Sequence, residues 1–348
     1  MSSNAPFATG RRPRGPDRRL LIVLAFVAAG SCVAPLLGQE PNEPTGAQQP
    51  TVEQPAAPAP AEPGNAEDVP VPRPVSEQWK RFSQLPLWED GFSEMCYYDA
   101  TCELQGKRRE FTRVHLMNRE AMDERRWIKA AGNETYVLPV LKMVISEEAP
   151  TENYNYRFLT TAYLERPSLE PVKVCVSSQE WSGHSFKMLQ WSRFQENQPS
   201  EWSLDLCSYS DIPDEGDRWW PHLSNVDAYE SLYLFARAVI ASGGESRRMR
   251  LLHSLRHNHA ADSEPVSAIL RIDGEPREIK VPPGRFNVRR VVLDWEGAET
   301  WFDVETAAPF RLVAYQASDI HAELRFVERR AYWDPEWKSG FHKPENAP

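Results

Sequence analysis

Three groups of side chains in this sequence have the types that chemistry needs. Ser177, Ser178, Glu180 and His184 hold the nucleophile, acid and base of a serine hydrolase within one short stretch. The local pattern opposes that use. If Ser182-Gly183 is a two-residue hairpin loop, Trp181 faces His184, Gln179 faces Phe186 and Cys175 faces Gln190, so Glu180 points away from His184. No G-x-S-x-G elbow presents a serine. The stretch reads better as a polar hairpin tip with Trp181 packed beside His184. His253 and His257, four residues apart, would share a helix face suited to zinc. On a strand all three of His253, His257 and His259 share a face, but no acidic ligand is specified. An edge strand running into a loop is the simpler reading, and neither a metal nor a cofactor is assigned. Trp219-Trp220 would form a stacking wall for a sugar or an acyl chain, or would staple a loop to a sheet.

The elements that must position these groups read as strands. Phe92–Ala100, Glu110–Met117, Tyr136–Ile145, Tyr154–Leu164, Val172–Trp181, Phe186–Phe194 and Trp202–Tyr209 are short runs rich in Val, Tyr, Phe, Thr and Trp. Turn residues divide them, as in an antiparallel meander. In the hairpin above, Val172, Val174 and Val176 lie with Leu189 and Trp191 on one face, and Phe186 and Met188 lie on the other. Both faces are partly apolar, so the sheet is covered on both sides or lines a cavity. One helix interrupts the strands, Val226–Ala241, with Ser224-Asn225 as N-cap oxygens and Gly243-Gly244 as its stop. Val226, Tyr229, Leu232, Tyr233, Ala236, Val239 and Ile240 recur at three- and four-residue steps, an amphipathic stripe that would dock on the sheet. Strands then resume at Arg250–Arg256, Val266–Ile272, Arg277–Val281, Arg285–Asp294, Thr300–Val304, Phe310–Tyr315 and Ala322–Glu328.

The N-terminus carries an address. Five arginines, Arg11, Arg12, Arg14, Arg18 and Arg19, precede an apolar run from Leu20 to Leu37, a pattern of export. Ala29-Gly30-Ser31-Cys32 resembles the bacterial lipobox, with Cys32 as the lipidated residue and Ala29 in place of the usual Leu, Val or Ile. Arg18-Arg19 before Leu20-Leu21-Ile22 loosely resembles a twin-arginine signal. An uncleaved anchor helix and an ordinary cleaved signal remain the alternatives. Residues 1–38 are therefore read as signal or anchor, and residues 39–75 as a Pro/Ala/Glu-rich linker too poor in apolar side chains to fold. Residues 76–334 form a β-rich envelope domain and residues 335–348 a polar tail; all 12 tryptophans lie after Val75.

Charge narrows the partners. Cleavage before Cys32 removes five arginines and one aspartate, taking the net charge from −10 to −14. A body this acidic excludes nucleic acid as partner and is repelled by anionic headgroups, so a membrane would have to be held by the N-terminal lipid or anchor. Cys96, Cys102, Cys175 and Cys207 are an even number in an exported chain, which permits two disulfides; local pairing, Cys96–Cys102 and Cys175–Cys207, needs least rearrangement, and free buried thiols are the alternative.

Ile279–Arg330 carries a resemblance. Val281-Pro282-Pro283-Gly284-Arg285-Phe286-Asn287-Val288, Thr300-Trp301-Phe302 and Ala308-Pro309-Phe310-Arg311-Leu312-Val313 are similar to an uncharacterised family of bacterial envelope proteins. That family is related in fold to the lipoprotein-localisation carriers, in which an open antiparallel half-barrel curls around one or more helices. Val137–Lys142 and Ser177–His184 resemble a related envelope group without known activity, in which a cysteine stands where this chain has Ser182. The resemblance implies an open β half-barrel and an envelope location, and no reaction. Together these readings give a mainly β protein, a long antiparallel curved sheet or open barrel packed on one principal helix, tethered in the cell envelope. Its leading function is binding: the concave side, with Trp219, Trp220, Phe186 and Met188 as lining, would hold an apolar ligand such as a lipid or acyl chain, or would dock another envelope protein. A hydrolase or other enzyme using the sheet cavity, and a purely structural envelope factor, are the alternatives.

Overall fold

The computed structural model describes residues 77–132, 137–166, 168–181, 183–192 and 203–334. The chain divides into two units, Met1–Pro63 and Gly64–Pro348, and every described residue belongs to the second. Cys32, the linker and the polar tail lie outside the described residues.

A short helix, α1 (Glu77–Ser83), leads into β1 (Ser93–Leu104), β2 (Lys107–Asp123), β3 (Ile128–Lys129), β4 (Val137–Pro150) and β5 (Asn155–Glu165). The meander continues through β6 (Pro171–Glu180), β7 (Gly183–Ser192), β8 (Ser203–Ser210) and β9 (Gly216–Ser224). After α2 (Leu232–Ala241) come β10 (Arg247–Leu251), β11 (Val266–Val281), β12 (Gly284–Asp294), β13 (Trp301–Glu305), β14 (Leu312–Ala317) and β15 (Ile320–Arg330). All pair antiparallel in one sheet, ordered β10 to β15, then β1, β2 and β4 to β9, with β3 paired to β2 alone. The expected open, mainly β architecture is therefore present. Its two halves join where the first strand meets the last, Ser93 opposite Arg330. The free edges are β9 and β10, on either side of the helical crossover.

Alternation along each strand sends one face inward. On β6 it is Val172, Val174, Val176 and Ser178; on β7 it is Ser185, Lys187, Leu189 and Trp191. Those faces are the ones expected, but the register is two residues away from expectation. Gln179 faces His184 and Cys175 faces Met188, because the last pair of the hairpin is Glu180 with Gly183. Gly183 serves a different purpose: a Cβ there would lie 2.8 Å from the Asp211 Cβ. Glycine is needed where the β8–β9 corner closes against the start of β7.

α2 runs down the middle of the curled sheet. Its end is as expected, with Gly243 at φ 83°, the Gly243 N–H on the Ile240 carbonyl and the Gly244 N–H on the Val239 carbonyl. This is a Schellman stop. Its start is later than expected. Asn225 takes φ 51°, and Asp227 leaves the helix path to exchange backbone hydrogen bonds with Arg250 and Leu252. A 3-10 turn, Tyr229–Ser231, then precedes the α-helix. Nor is the helix one-sided: every residue from Leu232 to Ile240 is buried. Arg237 is its one charged residue, so the segment is apolar nearly all round and is enclosed rather than docked.

Two further segments fill the space around it. At the lower rim, Trp79, Phe82 and Trp88 are buried against α2, and the Trp88 indole donates to the Phe82 carbonyl at 2.8 Å. At the upper rim, a strap of residues 252–262 crosses the inner faces of β7 and β8 and buries Leu252, Leu255 and Ala261. The interior space beside α2, lined by Tyr98, His115, Tyr233 and Arg237 among others, measures about 10 Å³. That is room for one water at most.

The four described cysteines are free thiols. Cys96 and Cys102 lie on one strand, about 20 Å apart at about 3.3 Å per residue. Cys175 and Cys207 sit on β6 and β8 with Met188 of β7 between them. That places them about 10 Å apart, beyond the reach of a disulfide. The expected local pairings are thus corrected by strand geometry.

Candidate functional site at the upper rim

The residues that suggested chemistry do not converge. Ser178 and Glu180 face inward, whereas His184 faces outward, where its Nδ1 lies 2.9 Å from Asp211 Oδ2 and its ring packs on Tyr209. Trp181 stacks on Tyr154 instead of His184. His253 packs against Trp295, His257 points towards Lys187, and His259 pairs with Glu215 at 2.8 Å. Among the described residues no group of three or more His, Cys, Asp or Glu is placed to hold a metal ion.

The lining proposed for a ligand cavity is turned inside out. Phe186 and Met188 belong to the outer row of β7, opposite the buried Lys187 and Leu189. Trp219 is 65% exposed and Phe186 40% exposed. Trp220 alone of the four leans inward, half-buried against the core. Adjacent strand residues point to opposite faces, so the two tryptophans form no common wall. On the convex side Cys175, Met188, Cys207 and Trp219 stand opposite one another across β6 to β9. Leu159 and Phe186 stand in the adjacent row of the same face, with Ser177 between them, and Leu159 is itself exposed.

A polar cluster that the sequence did not suggest lies beneath the strap. Ser178 Oγ and Ser185 Oγ are 2.8 Å apart, and Ser185 donates to the His257 carbonyl at 3.2 Å. Lys187 Nζ reaches the Leu255 carbonyl at 3.1 Å, the His257 carbonyl, and Ser185 Oγ at 3.4 Å. Burial pushes the Lys187 ammonium down to about 8. Glu230, just before α2, accepts the Leu255 N–H at 2.7 Å and the Ser254 hydroxyl at 3.2 Å. Burial holds its carboxyl above the ordinary range.

A serine beside a lysine of lowered pKa is the pairing of Ser–Lys hydrolases. Here Lys187 is wholly buried and its donors are taken by strap carbonyls, so the cluster acts as a fastening. The signal for it in the sequence was a lysine at an inward position of an otherwise apolar alternation, Leu189 and Trp191 following Lys187.

The fastening carries a pH dependence. Burial, with the Lys187 and His259 charges, pushes the His257 imidazole from 6.5 down to about 4. Glu215 also faces it, and favours its charged form. Between those values the unfolded chain takes a proton that the folded chain does not. Stability is therefore complete above pH 6.5 and falls as the pH drops towards 4. His115, buried beside Arg113 and Arg237, is shifted in the same direction. Urea unfolding at pH 7 and pH 4.5 should show the loss, and His257→Gln should remove about 1–3 kcal/mol of it. An unchanged difference between the two pH values in that variant would reject the account.

Two open grooves lie among the described residues. One, of about 540 Å³, is lined by Arg119, Glu120, Lys129, Arg166, Tyr332 and Trp333 among others. The other, of about 360 Å³, lies between Arg271, Arg290, Trp295 and Trp301. Their cations are already engaged: Arg119 and Arg166 with Glu89, Lys129 with Glu120, Arg271 with Asp294, and Arg290 with Asp303.

The fold and this surface define an open antiparallel β barrel corked by its own helices and strap. No family model matches the chain and no curated protein matches it, so the envelope-family resemblance over Ile279–Arg330 is carried by its motifs alone. Among solved structures it is similar to a beta-barrel-like protein of a domain of unknown function from Brucella abortus. The identity is 8% and the TM-score 0.41, over 68% of this chain and 97% of that one.

Proposed function

We propose that this chain is a binding domain of the bacterial cell envelope, exported and held at a membrane through its N-terminal segment. In this reading it docks another envelope protein on its convex face. The observation that carries the reading is an inversion of exposure. The interior space beside α2 measures about 10 Å³, whereas Leu159, Phe186 and Trp219 stand exposed on the convex side, Trp219 on the free edge strand β9 itself. Exposed aromatic anchors next to an unpaired edge suit association with a protein surface. A lipid or acyl chain carried inside would need several hundred Å³. The export pattern, the acidic body and the envelope-family motifs support the location, and Cys32 or the apolar run supports the tether.

The test combines two measurements on full-length protein from its own membrane fraction. Native mass spectrometry should find no retained lipid inside the domain, with the mass of the N-terminus reporting the lipid on Cys32 or its absence. A photo-crosslinking residue placed at Phe186 should capture one discrete protein, and Trp219→Asp should abolish that capture without lowering the melting temperature. Retained lipid would replace docking with carriage. Absence of any protein crosslink from Phe186 would end the docking reading.

A further inference from the structure

We infer that the upper rim holds a carbohydrate-binding platform built on Trp181. A ladder of rings climbs out of the barrel there. Phe158 and Tyr156 are buried and stack at 6.1 Å with 16° between planes. Tyr154 follows at 5.7 Å, and Trp181 rests on Tyr154 at 5.7 Å and 21°. Trp181 is 83% exposed, the most exposed large apolar side chain among the described residues. One face of its indole is therefore supported and oriented by Tyr154, and the other is presented flat to solvent. Folding alone gives no reason to display the largest side chain in this way, on a stack anchored in the core.

The surroundings choose the ligand. The electron-rich face of an indole attracts the weakly positive C–H groups that line one side of a pyranose ring. A sugar also needs neutral and anionic hydrogen-bonding groups at the edge of the stack. Gln105 supplies an amide, held at the tip of the β1–β2 turn with its Nε2 3.3 Å from the Tyr156 hydroxyl. Glu180 and Asn258 are paired at 3.0 Å at the upper end of β6.

Three nearby cations, Lys107, Arg109 and Arg157, are already held by carboxylates. Lys107 and Arg109 are both bound to Glu152, at 2.6 and 2.8 Å, and Asp211 adds charge on the far side of the hairpin. An acidic rim with a single flat ring suits a neutral or amino sugar and repels a membrane of anionic lipid. The platform also lies at the opposite end of the barrel from α1. Arg166 marks that lower end, donating to the Ser83 carbonyl at 2.8 Å. This inference rests on the rim alone and is independent of the docking reading above.

The test is saturation-transfer NMR and tryptophan fluorescence on the full-length protein, titrated with the tetrasaccharides of N-acetylglucosamine, glucose and maltose type. At least one should bind with a dissociation constant of about 0.1–1 mM, the range a single stacking surface with a few hydrogen bonds supports. Trp181→Ala should weaken it at least about tenfold, Trp181→Phe less, and Trp219→Ala not at all. Because Trp181 is 83% exposed, its replacement should leave the melting temperature unchanged, so loss of binding cannot be loss of fold. No binding of any of the three at 10-fold above that range would overturn the platform. So would binding unaffected by Trp181→Ala, or Trp181-dependent binding to phosphatidylglycerol vesicles or to the crosslinked protein partner in place of sugar.

Discussion

Glu147→Ala should destabilise the domain by about 3–5 kcal/mol, the cost of breaking a buried ion pair by removing one partner. Glu147 stands between two buried arginines that reach it from different parts of the chain. Its Oε1 accepts from Arg256 Nε, and its Oε2 lies 3.3 Å from Arg113 Nε. Neither cation has an adequate second carboxylate. Arg256 also meets Asp319 at 3.3 Å, and Arg113 lies over the rings of Tyr233 at 5.1 Å and Tyr315 at 5.7 Å. Removing the carboxylate leaves two guanidinium groups facing each other in a space that water does not fill. For a domain of this size that loss lowers the melting temperature by about 6–15 °C. Glu323→Ala, whose carboxylate pairs at 3.6 Å with His321 on the surface, should change it by less than about 2 °C. Thermal melts followed by circular dichroism decide the matter, and equal melting of the two variants would remove Glu147 from the centre of the upper barrel.

Phe235→Ala should cost a comparable amount, about 3–5 kcal/mol, through lost apolar burial and the cavity left behind. Phe235 is fully buried on α2, meets Trp79 of α1 edge-on at 5.6 Å, and lies under Arg247 at 4.3 Å. It is the side chain by which the lower cork and the central helix hold each other. Denaturant unfolding measures the effect, and hydrogen exchange should show α1 opening first. The same variant discriminates between readings of the interior. A barrel shaped to receive an apolar guest would tolerate the loss of one ring, whereas a barrel whose core is its own helix would not. A change below about 1 kcal/mol would therefore count against the corked interior.

Much of this architecture was legible in the sequence, and the failures have physical causes. Alternation placed Val172, Val174 and Val176 with Leu189 and Trp191 on one face, and the sheet agrees. It could not fix the register, because a two-residue slip leaves every face unchanged. Gly183 looked like a turn residue and is in fact a close-approach residue against Asp211. β9 was missed because Trp219-Trp220-Pro221 lacks alternation, and its proline fits only an edge or a bulge. Pro221 does lie beside the register break between Leu204 and Leu206.

The helix was placed but its surroundings were not. A stripe was sought, although Leu232–Ala241 carries apolar residues on every side. Deciding between a docked and an enclosed helix needs the curvature of a sheet assembled from both ends of the domain. The candidate site was least legible for the same reason. Glu147, Arg113 and Arg256 come together only when β2, β4 and the strap are folded, and no spacing announces them.

The seam between β1 and β15 has a consequence for how the chain reaches this state. Tyr97 of β1 donates to Glu328 of β15 across 231 residues of sequence. The meander from β1 to β9 can form by local hairpins, but the ring acquires its last neighbour only when the final strand is available. Long-range strand pairing of this kind belongs to slow folding, in milliseconds to seconds, and leaves a bare edge exposed meanwhile. Until β15 arrives, β1 offers a row of unpaired amides next to an incomplete core, a surface for mispairing with other chains. A truncation that removes β15 would therefore yield a persistent aggregation-prone intermediate in place of a slightly smaller domain.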